Sequence, residues 1–471
     1  MNRWRRLGEP DALSDGRALV ALAAPIALTQ LAQVALSTVD IVMIAPLGTE
    51  QLAAGGLALV LFNQLRTMGV GLVTAAGNRI AAQVAHGETA ADIDTREQVR
   101  DILRASLLVA TGAGLLGALI MIACGQALGS LGQQPAVIDA VRPMLLALAP
   151  GLLPCLWFQA LRQYTVGMRR PRALIWITLT AIAANVLLNA ALGYGTWIFP
   201  RLELVGIALA SSLVHLLTCV LLYDAVRRDH ALAPALSIQA WRASRATLRR
   251  LVALGTPIAL TYGSEAAFFS VVALIMGGFG AAALAAHTVV NQLVYITFQI
   301  TIGLSHGASI LVSRQVALER TAAAARIGRT ALAAGAAVMA LVGTIYLVTP
   351  DLVLAPFLDN ADSTDQAAHA LATNLLIIAA ILQFADCAQN IGVGLLRGLD
   401  DTKAGLRATL LGYWIVGLPL ALGLGHILDA GPEGVWIGLL AGLAATATLL
   451  LTRFGRELRL RAVATPATAS P

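Results

Sequence analysis

Charge is what this chain has least of. Of its 471 residues only 12% are Asp, Glu, Lys or Arg, while 58% are hydrophobic and the mean hydropathy is +0.77. A soluble protein of this length needs far more charge to cover its surface, so a soluble globular fold is excluded, and disorder, collagen and coiled coil fall with it. Cysteine is nearly as scarce. Cys124, Cys155, Cys219 and Cys387 lie in or near apolar stretches without CxxC spacing, so they read as packing residues and imply neither disulfides nor a metal site. There is no Walker loop, no GxSxG and no HExxH. Nothing enzymatic is visible, and active transport would have to draw on an ion gradient. Nor is there a series of roughly ten-residue alternating strands, which a membrane β-barrel needs.

What the chain does have is long apolar runs. Twelve spans lie near 17–45, 50–82, 101–124, 137–161, 171–194, 204–226, 250–277, 284–313, 327–349, 368–396, 404–426 and 433–455. Each is close to or above the ~20 residues needed to cross a bilayer as a helix. The expected fold class is an all-α polytopic membrane protein. The first span is too long for a cleavable signal sequence, and part of it recurs inside the chain. Arginines crowd one set of connections, from Arg3, Arg5 and Arg6 through Arg96, Arg100 and Arg104 to Arg227, Arg228, Arg242 and Arg250, while the alternate loops hold little beyond Arg142 and Arg201. By the positive-inside rule both termini are expected in the cytoplasm. The pI of about 9.5 is then a topology signal; its charges are scattered over short loops, and no nucleic-acid partner is expected.

Residues Leu19–Ala85 return without a gap as Leu251–Ala317, 232 positions later (19 to 251). LVALAAPIALT at Leu19–Thr29 becomes LVALGTPIALT at Leu251–Thr261, and Gly71–Leu72 becomes Gly303–Leu304. The chain is two copies of one unit. Six spans per copy is an even number, so both copies point the same way: two parallel-repeat six-helix bundles facing a central cleft. The expected boundaries are a tail at 1–16, an N-lobe at 17–226, a linker at 227–249, a C-lobe at 250–457 and a disordered tail at 458–471.

Ionisable residues in apolar spans are costly and usually mark a pathway. Asp40 lies in the first span, Glu265 in the seventh and Asp386 in the tenth. Asp40 reads either as an interfacial carboxylate or as a cation or proton site. Glu265 and Asp386 share one lobe and would act as a coupled pair, suited equally to exchanging a proton and to holding Na⁺ through oxygen ligands. Asn185 and Asn189, one helical turn apart, can serve Asp40 as neutral partners or simply join helices. Arg66 can neutralise an acid or line an aqueous cavity. His287 and Asn291 share a helix face, and with Gln33, Arg66 and Gln383 they complete the candidate cleft-lining set. His215, His287 and His306 have no ligand-type partner at helical spacing, so no metal is expected beyond Na⁺ at Glu265 and Asp386.

Several stretches resemble MATE (multidrug and toxic compound extrusion) transporters of the NorM type. They are PIALTQLAQVALSTVDIVMIAPLGTEQLAAGGLA, ALRQYTVGMRRPR at Ala160–Arg172, NVLLN at Asn185–Asn189, LAAHTVVNQ at Leu284–Gln292, and LLRGLDDTKAG with YWIVGLPLAL at Leu395–Leu420. The resemblance covers nearly all of Pro25–Leu440. It implies a V-shaped twelve-helix antiporter in the inner membrane of a bacterium, exporting cationic amphiphilic drugs in exchange for Na⁺ or H⁺, with no other cofactor. It also implies that Asp40 is the essential acid of the N-lobe, with Asn185 and Asn189 beside it, and that Glu265 and Asp386 bind the cation in the C-lobe. Two departures stand out. Asn189 occupies a position where some relatives carry Asp, which argues against a highly charged N-lobe site. Leu382 replaces a Tyr common in NorM-type sequences, which argues against an aromatic contribution in the C-lobe. Expected partners are small cationic drugs and membrane lipids, with the chain itself monomeric. A flippase of lipid-linked precursors is the alternative, although it would predict a strongly cationic cleft; a polytopic membrane enzyme and a passive channel are weaker readings.

Overall fold

A computed structural model describes residues 12–89, 95–127, 135–196, 200–357 and 363–464. Twelve helices in it are long and apolar enough to cross a membrane. We label them α1 (Ala12–Ile44), α2 (Thr49–Thr89), α3 (Thr95–Ala127), α4 (Pro135–Gly167), α5 (Ala173–Leu188), α6 (Glu203–Arg228), α7 (Arg245–Gly277), α8 (Ala281–Ala317), α9 (Thr321–Val348), α10 (Ser363–Gly398), α11 (Thr402–Ile427) and α12 (Gly431–Ala464). No strand occurs among the described residues. The chain is thus an integral membrane protein of the expected class. Helix is the only secondary structure that satisfies each span's backbone within itself, as lipid demands. The helices overrun the expected spans. In particular α12 continues to Ala464, so residues 458–464 are helical and not part of a disordered tail; residues 465–471 and 1–11 lie outside the described residues.

The chain folds into two compact units: residues 28–262, and residues 1–27 together with 263–471. These are not quite the two halves of the sequence. The N-terminal half of α1 belongs with α8–α12, and the N-terminal half of α7 belongs with α2–α6. Each division falls just beyond a helix-interior proline, Pro25 in α1 and Pro257 in α7. Proline removes one backbone hydrogen bond and crowds the carbonyl four residues back, so the helix is most easily redirected there.

The same contact seats both exchanged segments. A Cβ on Gly303 of α8 would stand 2.7 Å from the Ala27 Cβ, and a Cβ on Gly71 of α2 would stand 2.6 Å from the Ala259 Cα. Gly71 and Gly303 are repeat equivalents, and so are Ala27 and Ala259. In lipid, burying one apolar surface against another gains little over burying it in acyl chains. Close approach of small residues therefore decides where helices pack. Polar links at the membrane edge reinforce the two seats: Arg326 Nε donates to Asp15 at 2.5 Å, and Ser244 donates through its backbone N and Oγ to Asp101 at 2.8 and 2.7 Å.

Within residues 28–262, α4 is the central helix, with 72% of its apolar window buried. Leu145, Leu148, Leu152 and Leu156 of α4 are all essentially inaccessible. In the other unit the core forms around Phe268, Leu375, Leu376, Tyr413, Trp436 and Leu439. The fifth helix of each half departs from α geometry. α5 ends in a π segment at Asn189–Gly193, and α11 contains π segments at Leu411–Gly417 and Gly423–Ile427. An added residue in a π turn shifts the side chains that follow it, and such turns often accompany functional positions.

Candidate functional site

In the 28–262 unit Asp40 is 5% exposed and its carboxylate is surrounded by neutral donors. Asn185 and Asn189 donate through Nδ2 to Oδ1 at 3.0 and 2.9 Å, and Ser211 donates through Oγ to Oδ2 at 2.8 Å. Asn189 also donates to Asn185 Oδ1 at 3.3 Å. The one-turn spacing of the asparagines aims both amides at one acid, and Asn189 does so from the first position of the π segment. Ser211 was not legible as part of this set: a serine in an apolar helix is common, and only α6 packing beside α5 turns it toward Asp40.

A cavity of ≈ 40 Å³ lies against Asp40, lined also by Gln33, Phe62, Asn63, Arg66 and His215. That is room for about two or three waters or one partly hydrated ion, well short of the roughly 300 Å³ of a drug-sized pocket. Arg66 lines this cavity but does not pair with Asp40. Its Nε donates to Asn63 at 3.2 Å and its NH1 to Gln33 at 2.9 Å. Of the two roles open to Arg66, the structure places it among amides on the cavity wall. His215 stacks on Phe62 with ring centroids 5.5 Å apart. Arg162 of α4 is 2% exposed and donates to Gln30 at 2.8 Å.

In the second unit Glu265 and Asp386 are brought together with Gln389 interacting with both. Gln389 Nε2 donates to Glu265 Oε1 at 3.3 Å, and Asn390 Nδ2 donates to Asp386 Oδ1 at 3.3 Å. Asp386 is 4% exposed, whereas Glu265 is only half-buried, so Glu265 is the accessible member of the pair. The absent aromatic at Leu382 is made good from another helix. Tyr413 of α11 is fully buried, donates through its hydroxyl to Glu265 Oε1 at 3.3 Å, and stacks on Phe268 at 4.8 Å. Its neighbour Trp414 donates to Ser264 Oγ at 2.8 Å. Both come from the π segment Leu411–Gly417, which turns two consecutive side chains toward α7. Position 382 is leucine, and the aromatic ring beside Glu265 comes instead from Tyr413 on another helix.

Two further points concern charge and oxygen. Among the described residues none of Asp40, Glu265 and Asp386 forms an ion pair with a basic side chain; their partners are amides and hydroxyls. Beside each acid set one buried amide oxygen has no hydrogen-bond partner among the described residues, Asn189 Oδ1 in one unit and Gln389 Oε1 in the other. Carboxylate and amide oxygens are the donors a hard cation takes. Among the described residues no group of three or more His, Cys, Asp and Glu side chains could hold a metal.

Among the described residues, His287, Asn291 and Gln383 share no hydrogen bond with Asp40, Glu265 or Asp386. His287 is 2% exposed and packs edge-on against Trp436 at 5.7 Å. Asn291 is half-buried on the same helix. Gln383 is 1% exposed in the interior of its unit, beside Gly343 of α9, with neither amide atom partnered. His306 meets Arg397 NH1 at 3.3 Å through Nε2.

The family model of MatE matches residues 25–191 and again 257–422. The chain belongs to the MATE family. The two matched stretches begin on Pro25 and Pro257, the repeat-equivalent prolines at which the units divide. Among curated MATE relatives, a probable multidrug resistance protein NorM of Mesorhizobium japonicum is 33% identical over 468 residues, covering 98% of this chain and 96% of the relative. A protein of the same description from Rhodopseudomonas palustris is 38% identical over 443 residues, covering 93% and 91%. The chain is thus similar to the NorM branch over nearly its full length. Solved structures agree on the fold. A MATE in the bent conformation superposes with a TM-score of 0.85 at 15% identity, covering 97% of this chain and 99% of that one. The eukaryotic MATE transporter AtDTX14 does so at 0.81 and 17%, covering 96% and 99%.

Proposed function

We propose that this MATE protein is a secondary active multidrug efflux antiporter, exporting cationic amphiphilic compounds in exchange for Na⁺ or H⁺ by alternating access. The observation that carries the reading is the absence, among the described residues, of a basic partner at three buried or half-buried carboxylates in membrane-spanning helices. An acid placed there is costly unless something neutralises it. A mobile cation or proton does so reversibly, which is what coupling requires. A ligand shifts a conformational equilibrium only through different affinity for the two states, and a carboxylate that gains or loses a positive charge supplies that difference. The names of the NorM relatives point to multidrug export as the process served. On this reading Asp40 with Asn185, Asn189 and Ser211, and Glu265 with Asp386, Gln389 and Tyr413, are the coupling sites. On the same reading the chain lies in the inner membrane of a bacterial cell, and its arginine-rich connections support an orientation with both termini in the cytoplasm.

The experiment is drug uptake into everted membrane vesicles under an imposed Na⁺ gradient and, separately, an imposed pH gradient. Accumulation driven by at least one gradient is expected. If neither gradient drives uptake, the antiport reading fails.

A further inference from the structure

A second cavity, ≈ 570 Å³ in volume, lies at the membrane edge of the 28–262 unit, well away from Asp40. It forms where α2 ends and α3 and α7 begin. Four arginines line it: Arg79, Arg104, Arg242 and Arg250, against two acids, Glu97 and Asp101. Both acids have structural duties. Glu97 pairs with Arg100 at 2.5 Å and with Arg104 at 2.8 Å. Asp101 holds Ser244 at the start of α7. With four arginines against two acids the lining carries an excess of positive charge, and Arg242 contributes an exposed side chain to it.

The connection between α6 and α7 is pinned over this cavity. Arg100 NH2 donates to the Pro234 carbonyl at 2.7 Å, and Arg104 Nε donates to Ser237 Oγ at 3.0 Å. So anchored, it presents Ile238 at 45% and Trp241 at 74% exposure immediately beside Arg242. An exposed tryptophan and isoleucine next to a basic pocket, at the depth where membrane helices end, combine two known lipid contacts. Tryptophan favours the headgroup level, and basic pockets between helices take anionic headgroups. The volume is also in the range of a small-ligand pocket.

We propose that this cavity seats the phosphate of an anionic phospholipid headgroup, with Arg242 and the other three arginines around the phosphate and Trp241 and Ile238 in the adjoining interface. A bound lipid would hold together the ends of α2, α3 and α7 and the connection above them. A free phosphate anion shares the charge but not the apolar flank, which is why the lipid is the favoured source.

The test uses the full-length protein, delipidated in detergent, with phosphatidylglycerol, phosphatidylcholine and inorganic phosphate as probes and native mass spectrometry as readout. Phosphatidylglycerol should be retained in preference to phosphatidylcholine, and millimolar inorganic phosphate should not displace it. Arg242→Gln should weaken retention about fivefold, the weight of one basic residue at an anionic membrane surface, and Arg242→Lys should restore most of it. Trp241→Ala should weaken retention of both lipids. Because Arg242 and Trp241 are exposed, these variants leave the packing intact. Equal retention of the two lipids, equal retention by wild type and Arg242→Gln, or displacement by inorganic phosphate would each overturn the proposal.

Discussion

Gly71 lies against Ala259 so closely that a Cβ added to the glycine would stand 2.6 Å from the alanine Cα, and 232 residues on, Gly303 repeats the contact with Ala27. The two contacts are the places where a helix that starts in one half of the sequence lands on the other. Ancestral duplication alone would preserve sequence identity here and there. Conservation of the contact as a pair shows that the exchange of α1 and α7 segments is part of the scaffold both copies share.

Gly71→Ala and Gly303→Ala should therefore destabilise, each by about 1–3 kcal/mol, the usual cost of overpacking a tight contact. The relevant measurement is thermal unfolding in detergent followed by size-exclusion chromatography. Gly112→Ala, in α3, is the control: a Cβ there meets nothing within 4 Å, and alanine is the better helix former. Equal melting of all three variants would remove close packing as the reason for these glycines.

Glu265→Gln and Asp386→Asn keep the size and much of the hydrogen bonding of the originals while removing the charge. Both should abolish drug export while the protein still reaches the membrane at wild-type levels. Asp40→Asn should do the same from the other unit, since Asn185 and Asn189 can donate to the amide oxygen as they do to Oδ1, and Ser211 Oγ can accept from the amide nitrogen that replaces Oδ2. Drug-resistance assays with parallel immunoblots decide this. Undiminished export in Glu265→Gln and Asp386→Asn together would remove the pair from the coupling mechanism.

The fold was legible because hydropathy and repetition are both written along the chain: span length set the helices, and the 232-residue offset set their pairing. The exchange of helix segments was not. Pro25 and Pro257 were visible, but a proline signals where a helix can bend, not which neighbours it bends toward. At the sites, the acids stood out because a carboxylate in an apolar helix is rare. Their partners did not. Ser211, Gln389 and Asn390 are ordinary polar residues until packing aims them, and Tyr413 reaches Glu265 only because a π segment redirects α11. Gln383, three positions before Asp386, stood out for the same reason as the acids, and only packing shows that it is buried beside Gly343 of α9.

Outside the spans, Asp229 ties the α6–α7 connection to the α4–α5 turn, accepting from Arg170 at 2.9 and 3.0 Å and from the Ala231 backbone at 2.8 Å. Partial burial opposes its charge, but the Ala231 N–H, the Arg170 guanidinium and the Leu232 N–H outweigh it and hold the carboxyl below its ordinary value of 3.8. A group held lower in the folded state adds stability that is complete above the unfolded value and is lost as pH falls through the folded one. Docking of the connection should thus be unchanged from neutral pH to about pH 4 and loosen below it. Fluorescence of Trp241, in a variant without the other tryptophans, should report the transition, and Asp229→Asn should abolish its pH dependence.

Tyr413→Phe separates a hydrogen bond from the packing around it. The ring is fully buried and stacks on Phe268 with centroids 4.8 Å apart, and phenylalanine preserves that contact. Only the hydroxyl, 3.3 Å from Glu265 Oε1, is lost. Its role on the present reading is to fix the orientation of the more accessible carboxylate, so that Glu265 and Asp386 face one ion together. Losing a hydrogen bond of ordinary net strength, about 0.5–1.5 kcal/mol, corresponds to roughly a two- to tenfold change in equilibrium. The concentration of driving ion that gives half-maximal export should rise by that factor, with maximal export, membrane level and melting temperature close to wild type. Trp414→Phe, which loses the bond to Ser264 one position away, should leave the ion dependence nearer to wild type. If Tyr413→Phe instead lowers the melting temperature and leaves the ion dependence untouched, the hydroxyl serves the core and not the site.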